Sequence, residues 1–241
     1  MGAAEKVPIA DAKHDFVHKT LHACELARDA AHDAGEALAS GKTELFDRVM
    51  KAEQELDEID HDLDERVSLE VTQVDAERAR ELLACMKFGI DLERIGDLLA
   101  SFATQARELG ANVDAESRRQ LVQMAHGLEH MLNEVHCAFS TRDVKCAINV
   151  LRSDGELDRL RNLIFFRFAE QHQHGGSAEG VRLVFMSHAI ERAGDHAKNL
   201  AEEVIHFITG HSVRHVLSTQ GKRSWEQMYI DSMRERPPRP S

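Results

Sequence analysis

The sequence predicts an all-α protein of six long antiparallel helices. Short runs of loop-forming residues divide positions 11–209 into six segments of about thirty residues each. Apolar side chains within these segments recur at heptad spacing, which indicates helices packed in bundles. The composition agrees, because Ala, Leu, Glu and Arg are abundant while proline occurs only four times in 241 residues.

Five breaks separate the six predicted helices in order along the chain. Three of them contain glycine, which favours a helix end, and all five contain Ser, Asn or Asp, which can cap a helix start. The breaks fall at Ser40–Lys42, Val74–Asp75, Leu109–Asn112, Ser140–Asp143 and His174–Ser177. Because the intervening loops are short, consecutive helices are expected to run antiparallel.

Buried stripes are predicted for four of the helices from their apolar spacing. The second helix has Leu45, Val49, Ala52, Leu56, Ile59, Leu63 and Val67; the third has Leu82, Cys85, Gly89, Leu92, Gly96, Leu99, Ala103 and Ala106. The fifth has Val150, Ser153, Leu157, Leu160 and Ile164; the sixth has Ile190, Gly194, Ala197, Ala201, Val204 and Ile208.

One acidic signature occurs twice, as Glu93-Arg-Ile-Gly-Asp97 and as Glu191-Arg-Ala-Gly-Asp195. The two carboxylates of each signature lie four residues apart, which on a helix separates them by about 40° and about 6 Å along the axis. A second acidic pair precedes each signature, Glu53 with Asp57 and Asp154 with Asp158. All eight acids follow a residue of the buried stripe by one position, so the two halves of the chain look like copies of one unit.

These acidic pairs are candidate metal ligands. If the pairs of one half converge, four carboxylates meet, and their repulsion requires either raised pKa values or a bound cation. Oxygen ligands favour hard ions such as Mg²⁺, Ca²⁺, Mn²⁺ or iron. Gly96 and Gly194 support a close approach here, because glycine inside a helix costs about 1 kcal/mol relative to alanine.

Charge and composition exclude several functions. A formal net charge of -12 argues against a nucleic-acid-binding protein, which needs a basic surface. The four cysteines form no CxxC motif and are expected to be reduced. Neither a secretory leader nor an apolar run of about 18 residues is evident. The expectation is a cytoplasmic protein without direct membrane insertion that can act at the inner face of a membrane through its partners.

Residues 78–109 and 181–210 resemble the PhoU family of regulators of phosphate uptake and phosphate signalling. The resemblance rests on Asp91 to Asp97, preceded by Arg80 and Lys87, and on the run from Glu191 to Glu202 with its Asp-His-Ala-x-Asn pattern. It implies two tandem three-helix bundles, over 11–110 and 111–217. Residues 1–10 are then a flexible N-terminus, and 218–241 a flexible basic, proline-rich tail.

The same resemblance implies a regulator that is not an enzyme. Its partners would be the ATPase subunit of a phosphate ABC transporter and a membrane sensor histidine kinase, both negatively modulated, and the protein would form a homodimer. The metal, whether iron, zinc, manganese or magnesium, would be held by Glu53, Asp57, Glu93 and Asp97 and by Asp154, Asp158, Glu191 and Asp195. Supporting roles fall to Asp91, Arg94, Arg192, His196 and Asn199. The sequence departs from the family pattern after Asp97, where the His and Asn that follow Asp195 have no counterpart.

Three other interpretations remain open. The acids can be ordinary charged flanks of a bundle, which would leave a metal-independent helical adaptor. A di-iron carboxylate enzyme would use the Glu-x-x-His spacings at Glu58/His61 and Glu203/His206, although these glutamates lie about 120° to 140° around their helices from the acidic pairs. Zinc or nickel sites are conceivable at two histidine groups, His172/His174 and His206/His211/His215.

Overall fold

The computed structural model describes residues 9–110, 113–171 and 178–210, and those ranges form six α-helices. The described side chains begin at position 15 and leave out those at 154 and 171. The helices are α1 (Ile9–Ser40), α2 (Glu44–Glu70), α3 (Ala76–Leu109), α4 (Ala115–Thr141), α5 (Val144–Gln171) and α6 (Ala178–Thr209). The predicted all-α fold of six long antiparallel helices is confirmed. The predicted tail over 218–241, together with His172, His174, His211 and His215, lies outside the described residues.

The helix boundaries follow the local chemistry of the predicted breaks. The Asp75 carboxylate accepts hydrogen bonds from the backbone N–H groups of Glu77 and Arg78 and so caps the start of α3. Asp114 caps α4 in the same way, through the N–H groups of Glu116 and Ser117. These caps satisfy N–H groups that have no partner within the helix.

The helices pack as two three-helix groups, α1 to α3 and α4 to α6, that lie side by side. Within each group every helix contacts the other two, and between the groups α3 packs on α6 and α1 packs on α4. Both of these pairings between groups are as extensive as the closest pairings within a group. Buried side chains of all six helices therefore form one continuous core, which includes Phe16, Leu56, Phe88, Leu128, Leu157 and Val204.

The predicted buried stripe of α2 lies in this core. Val49, Leu56, Leu63 and Val67 are almost completely buried. Phe88 of α3 packs against Phe139 of α4 with ring centroids 4.5 Å apart, an aromatic contact between the two groups. None of the described helices combines the length and the hydropathy that crossing a membrane requires.

Candidate functional site

Each acidic signature lies where a leucine of the preceding helix fills the space beside a glycine. A Cβ atom on Gly96 would lie 2.9 Å from Leu56 Cδ1, and a Cβ atom on Gly194 would lie 2.5 Å from Leu157 Cδ1. Carbon atoms do not approach so closely without displacement. The close approach expected at these glycines is therefore made by the neighbouring helix, α2 in the first half and α5 in the second, at equivalent positions.

This packing brings the acids of α2 beside those of α3. The Glu53 Cα atom lies only 3.5 Å from the position that a Cβ on Gly96 would take. The pKa of Glu53 is raised by burial and by the negative charges of Asp97 and Asp57. Burial also raises the pKa of Glu93, and Asp97 contributes in the same direction. The four predicted acids of the first half thus share one surface, which we call the first acidic face.

Asp60 belongs to the first acidic face, although it is not one of the acids that the repeated signature predicts. It lies two helical turns after Glu53, and its pKa is raised by burial and by the charges of Asp64 and Asp57. Its buried Oδ1 atom has no hydrogen-bond partner among the described residues. A Cβ on Gly89 would lie 2.8 Å from that oxygen. The sequence signal that points to Asp60 is its position opposite a second stripe glycine of α3.

Arg94 contributes a guanidinium group to this face. Its Nε lies 3.4 Å from Glu93 Oε2, and its Nη1 lies 3.3 Å from Asp97 Oδ2. The single charge of Arg94 cannot balance five carboxylates, so these six side chains together carry a net negative charge. The carboxylates, the raised pKa values and the Asp60 Oδ1 atom, unpaired among the described residues, fit an oxygen-ligated cation.

The second acidic face, which we define by the described acids Asp158, Glu191 and Asp195, differs in charge. Arg161 Nη2 lies 3.5 Å from Asp158 Oδ1 and 3.7 Å from Glu191 Oε1. His188 Nδ1 lies 3.1 Å from the other carboxylate oxygen of Glu191. Asp195 is exposed, and the side chain at position 154 is not among those described. A basic side chain of the protein thus already lies between two of the predicted ligands.

The origin of this difference is visible in the repeat itself. Leu56 and Leu157 occupy equivalent positions, so Asp60, four residues after Leu56, corresponds to Arg161, four residues after Leu157. An acid in the first half is replaced by a base in the second. The first face therefore has the additional carboxylate of Asp60 at the position where the second face has the guanidinium group of Arg161.

The predicted supporting residues divide between the faces and the contact between the helix groups. Arg94 lies on the first acidic face, and Arg192 is exposed on α6. Asp91 and His196 meet each other, with 2.7 Å between Asp91 Oδ1 and His196 Nδ1. This contact joins α3 to α6 and so links the two halves of the molecule. Asn199 is partly buried on α6.

The glutamates of the two Glu-x-x-His spacings have different surroundings. Glu203 forms an ion pair with Lys87 of α3, with 2.9 Å between Lys87 Nζ and Glu203 Oε2, and His206 Nδ1 lies 3.6 Å from Glu203 Oε1. Glu58 is exposed on α2. Glu203 therefore forms an ion pair that joins the two helix groups.

Among the described side chains, three potential metal-ligating atoms lie within 4.8 Å of one another at one place, formed by His32, His126 and Glu129. The described carboxylates of the acidic faces do not form such a group. The sequence pattern does not predict the histidine group, because its members come from α1 and α4 and meet only through the packing of the two halves.

The chain resembles known proteins in both sequence and fold. The PhoU domain family model matches residues 20–106 and 121–204. The chain is 27% identical over 197 residues to the phosphate-specific transport system accessory protein PhoU homolog 1 of Thermotoga maritima, covering 80% of this chain and 85% of that protein. It is 29% identical over 211 residues to the PhoU homolog of Pseudomonas aeruginosa that carries the same accessory-protein name, covering 83% and 85%.

Two crystal structures share the fold. PhoU from Pseudomonas aeruginosa superposes with a TM-score of 0.74 at 24% identity, covering 83% of this chain and 99% of that one. The phosphate transport system regulatory protein PhoU from Streptococcus pneumoniae superposes with a TM-score of 0.76 at 22% identity, covering 86% and 99%. With two matches to the domain model, one in each helix group, the chain belongs to the PhoU family.

Proposed function

We propose that this protein is a cytoplasmic regulator of phosphate uptake and phosphate signalling that acts through protein contacts rather than catalysis. The observation that carries the proposal is membership of the PhoU family over both halves of the chain, with relatives named as phosphate-specific transport system accessory proteins. The partners proposed are the ATPase subunit of a phosphate ABC transporter and a sensor histidine kinase, both restrained when phosphate is plentiful, and a homodimer is the proposed form.

The first acidic face is the proposed metal site. Glu53, Asp57, Glu93 and Asp97 would hold the ion, as would Asp60, whose buried Oδ1 is without a partner among the described residues. A divalent or trivalent ion bound there would supply positive charge that can attract acidic or phosphorylated groups of a partner. The protein's own contribution is to fix these carboxylates on two helices, which the contact between Leu56 and Gly96 holds together.

The second acidic face is proposed as the weaker site. Asp154, Asp158, Glu191 and Asp195 would bind a cation only after Arg161 moves away from Asp158 and Glu191. Arg94 makes comparable contacts with Glu93 and Asp97 on the first face, so the faces differ at Asp60, whose place Arg161 takes on the second face. Arg161→Ala is expected to increase metal binding there, and unchanged binding would count against this ordering of the two faces.

Metal content is the first test. Untagged protein would be equilibrated with iron, manganese, zinc or magnesium, and the bound metal measured by mass spectrometry. The quadruple variant E53Q/D57N/E93Q/D97N should lose the metal of the first face and keep its helical circular dichroism. The matched control E44Q/E58Q/E65Q/E77Q removes four exposed acids from the same two helices and should keep the metal. Equal loss in both variants would show a nonspecific charge effect.

The regulatory role is tested in cells. In a strain that lacks this gene, uptake of radiolabelled phosphate should stay high after transfer to phosphate-rich medium, and the wild-type chain should restore its decline. Failure of the wild type to do so would remove the proposed function. Restoration by E53Q/D57N/E93Q/D97N as well as by the wild type would favour the metal-independent adaptor. Substrate turnover by iron-loaded protein would instead favour the di-iron enzyme.

A further inference from the structure

We propose that His32, His126 and Glu129 form a zinc site that joins the two halves of the molecule. His32 lies on α1, while His126 and Glu129 lie one turn apart on α4. Glu129 Oε1 is 3.2 Å from His32 Nδ1, and Glu129 Oε2 is 3.1 Å from His126 Nδ1. The site goes beyond the proposed function, because it uses neither acidic face and lies on different helices.

The distances between these atoms suit a tetrahedral ion. Zinc binds histidine nitrogen at about 2.0 to 2.1 Å and carboxylate oxygen at about 2.0 to 2.2 Å, so neighbouring ligand atoms of a tetrahedral site lie about 3.3 Å apart. The nitrogens of His32 and His126 approach Glu129 within about that distance through its two different oxygens, and one ligand atom of each residue lies within 4.8 Å of the others. Small side-chain rotations can therefore bring all three residues onto one ion. Two imidazole nitrogens and one carboxylate are also a donor set that zinc accepts, whereas Mg²⁺ and Ca²⁺ prefer oxygen alone.

The remaining ring nitrogen of His126 has a carboxylate near it. His126 Nε2 lies 3.9 Å from Glu36 Oε1 on α1. With Nδ1 on the ion, Nε2 carries the proton, and a small rotation of Glu36 would bring its carboxylate within hydrogen-bond distance, the arrangement that orients histidine ligands in many zinc sites. Glu36 is a positioning residue in this proposal, since it would act through His126 rather than on the ion.

The backbone holds the ligands at short range. α1 packs on α4 through small residues, and a Cβ on Gly35 would lie 3.2 Å from Ala125 Cβ and 3.5 Å from the His126 ring. The ligands are thus placed on two rigid helices that approach closely, which favours a preorganised site. The His32 side chain is 49% exposed and that of Glu129 31%, so an ion can enter from solvent and a water molecule can complete the tetrahedron.

Zinc binding is tested on the untagged, chelator-treated full chain by equilibrium dialysis against submicromolar zinc. The variant H32Q/H126Q should bind one zinc per chain fewer than the wild type, and E129Q should weaken that zinc at least tenfold. H18Q/H130Q, the matched control, removes two exposed histidines outside the group and outside both acidic faces and should bind as the wild type does. Circular dichroism verifies that each variant is still helical.

Coordination is tested with Co²⁺ in place of zinc. The wild type should show the intense visible absorption bands of tetrahedral cobalt, and H32Q/H126Q should not. Zinc binding by H32Q/H126Q equal in number and affinity to that of the wild type would overturn the proposal. The variant E53Q/D57N/E93Q/D97N should keep this zinc, so loss of the acidic-face function leaves the histidine site unaffected. Loss of this zinc from E53Q/D57N/E93Q/D97N, together with its retention by H32Q/H126Q, would also overturn the proposal.

Discussion

Alanine is expected to have opposite effects on stability at two glycines of the second half, because one glycine is closely packed and the other is not. Gly194 lies against Leu157, because a Cβ added to it would be 2.5 Å from Leu157 Cδ1, whereas a Cβ on Gly155 would meet no atom within 4 Å. Alanine in a helix gains about 1 kcal/mol over glycine, and overpacking a core costs about 1 to 3 kcal/mol. We therefore expect Gly155→Ala to stabilise the protein by up to about 1 kcal/mol and Gly194→Ala to destabilise it by up to about 2 kcal/mol.

Urea unfolding followed by circular dichroism measures both changes under the same conditions. Gly155→Ala is the control for the intrinsic helix preference, because both glycines lie within helices of the second half. If Gly194→Ala proved as stabilising as Gly155→Ala, Leu157 would have moved without cost, and close packing would not explain the glycine of the acidic signature.

Asp60 gives a second prediction at the scale of single residues. In chelator-treated protein Asp60 is a partly buried acid without a hydrogen-bond partner for Oδ1 among the described residues. Removing its charge relieves repulsion with the neighbouring acids, so Asp60→Asn should raise the free energy of unfolding by about 1 kcal/mol. The same substitution should weaken metal binding at the first acidic face. Glu65→Gln, an exposed acid of the same helix that is not among the charges raising the pKa of Asp60, is the control and should change neither quantity by as much.

Helix caps provide the prediction at the scale of whole elements. Asp75 and Asp114 each accept two backbone N–H groups at a helix start, while Thr43 at the start of α2 makes no such side-chain hydrogen bond. Asp75→Ala and Asp114→Ala should therefore each lower the free energy of unfolding by about 1 kcal/mol, and Thr43→Ala should lower it much less. Thermal unfolding of the three variants measures the difference, and an equal cost for Thr43→Ala would show that capping is not its cause.

The cost of Asp114→Ala should depend on pH. Burial acts to raise the pKa of Asp114, but hydrogen bonds from Ser117 and Glu116 outweigh it and hold the pKa below the ordinary value of 3.8. A carboxylate with a lowered pKa in the folded state stabilises the protein above its unfolded pKa. That stability is lost as the pH falls through the folded pKa. The difference in the free energy of unfolding between the wild type and D114A should thus be at its maximum at about pH 6 and should shrink below pH 3.8.

The same elements show what the sequence can and cannot reveal. The α2 stripe from Val49 to Val67 and the Asp75 break are local patterns, and both are present in the structure. The group of His32, His126 and Glu129 depends on α1 packing on α4, which no local period encodes. The sequence also does not predict the contact of Arg161 with Glu191 on the second acidic face, because that contact depends on how α5 and α6 pack. Periodicity predicts which face of a helix is buried but not which helix covers it.

At the scale of the whole molecule, the two halves share one core. α1 with α4 and α3 with α6 pack as extensively as the closest pairs within a half. Polar contacts reinforce this boundary, namely Asp91 with His196 and Lys87 with Glu203. Two repeats that share so much buried apolar surface cannot separate without exposing it to water, which costs about 25 cal/mol per Å². We therefore expect that neither repeat is stable without the other.

We accordingly expect both halves to unfold together. The native cysteines report on each half: Cys24 and Cys85 are buried in the first, while Cys137 and Cys146 are partly buried in the second. Burial raises the pKa of Cys85 to about 11, and burial together with Cys137 raises that of Cys146 to about 12, so these thiols react slowly in the folded protein at about pH 8.

Brief thiol labelling at increasing urea, read out by peptide mass spectrometry, follows the two halves separately. Cys24 and Cys85 should become reactive at the same urea concentration as Cys146, coincident with loss of helical circular dichroism. His196→Ala should lower that midpoint for both halves together, since it breaks a contact between them rather than within either. Cys146 becoming reactive well before Cys24 and Cys85 would mean that the second half opens alone, and the shared core would then not control stability.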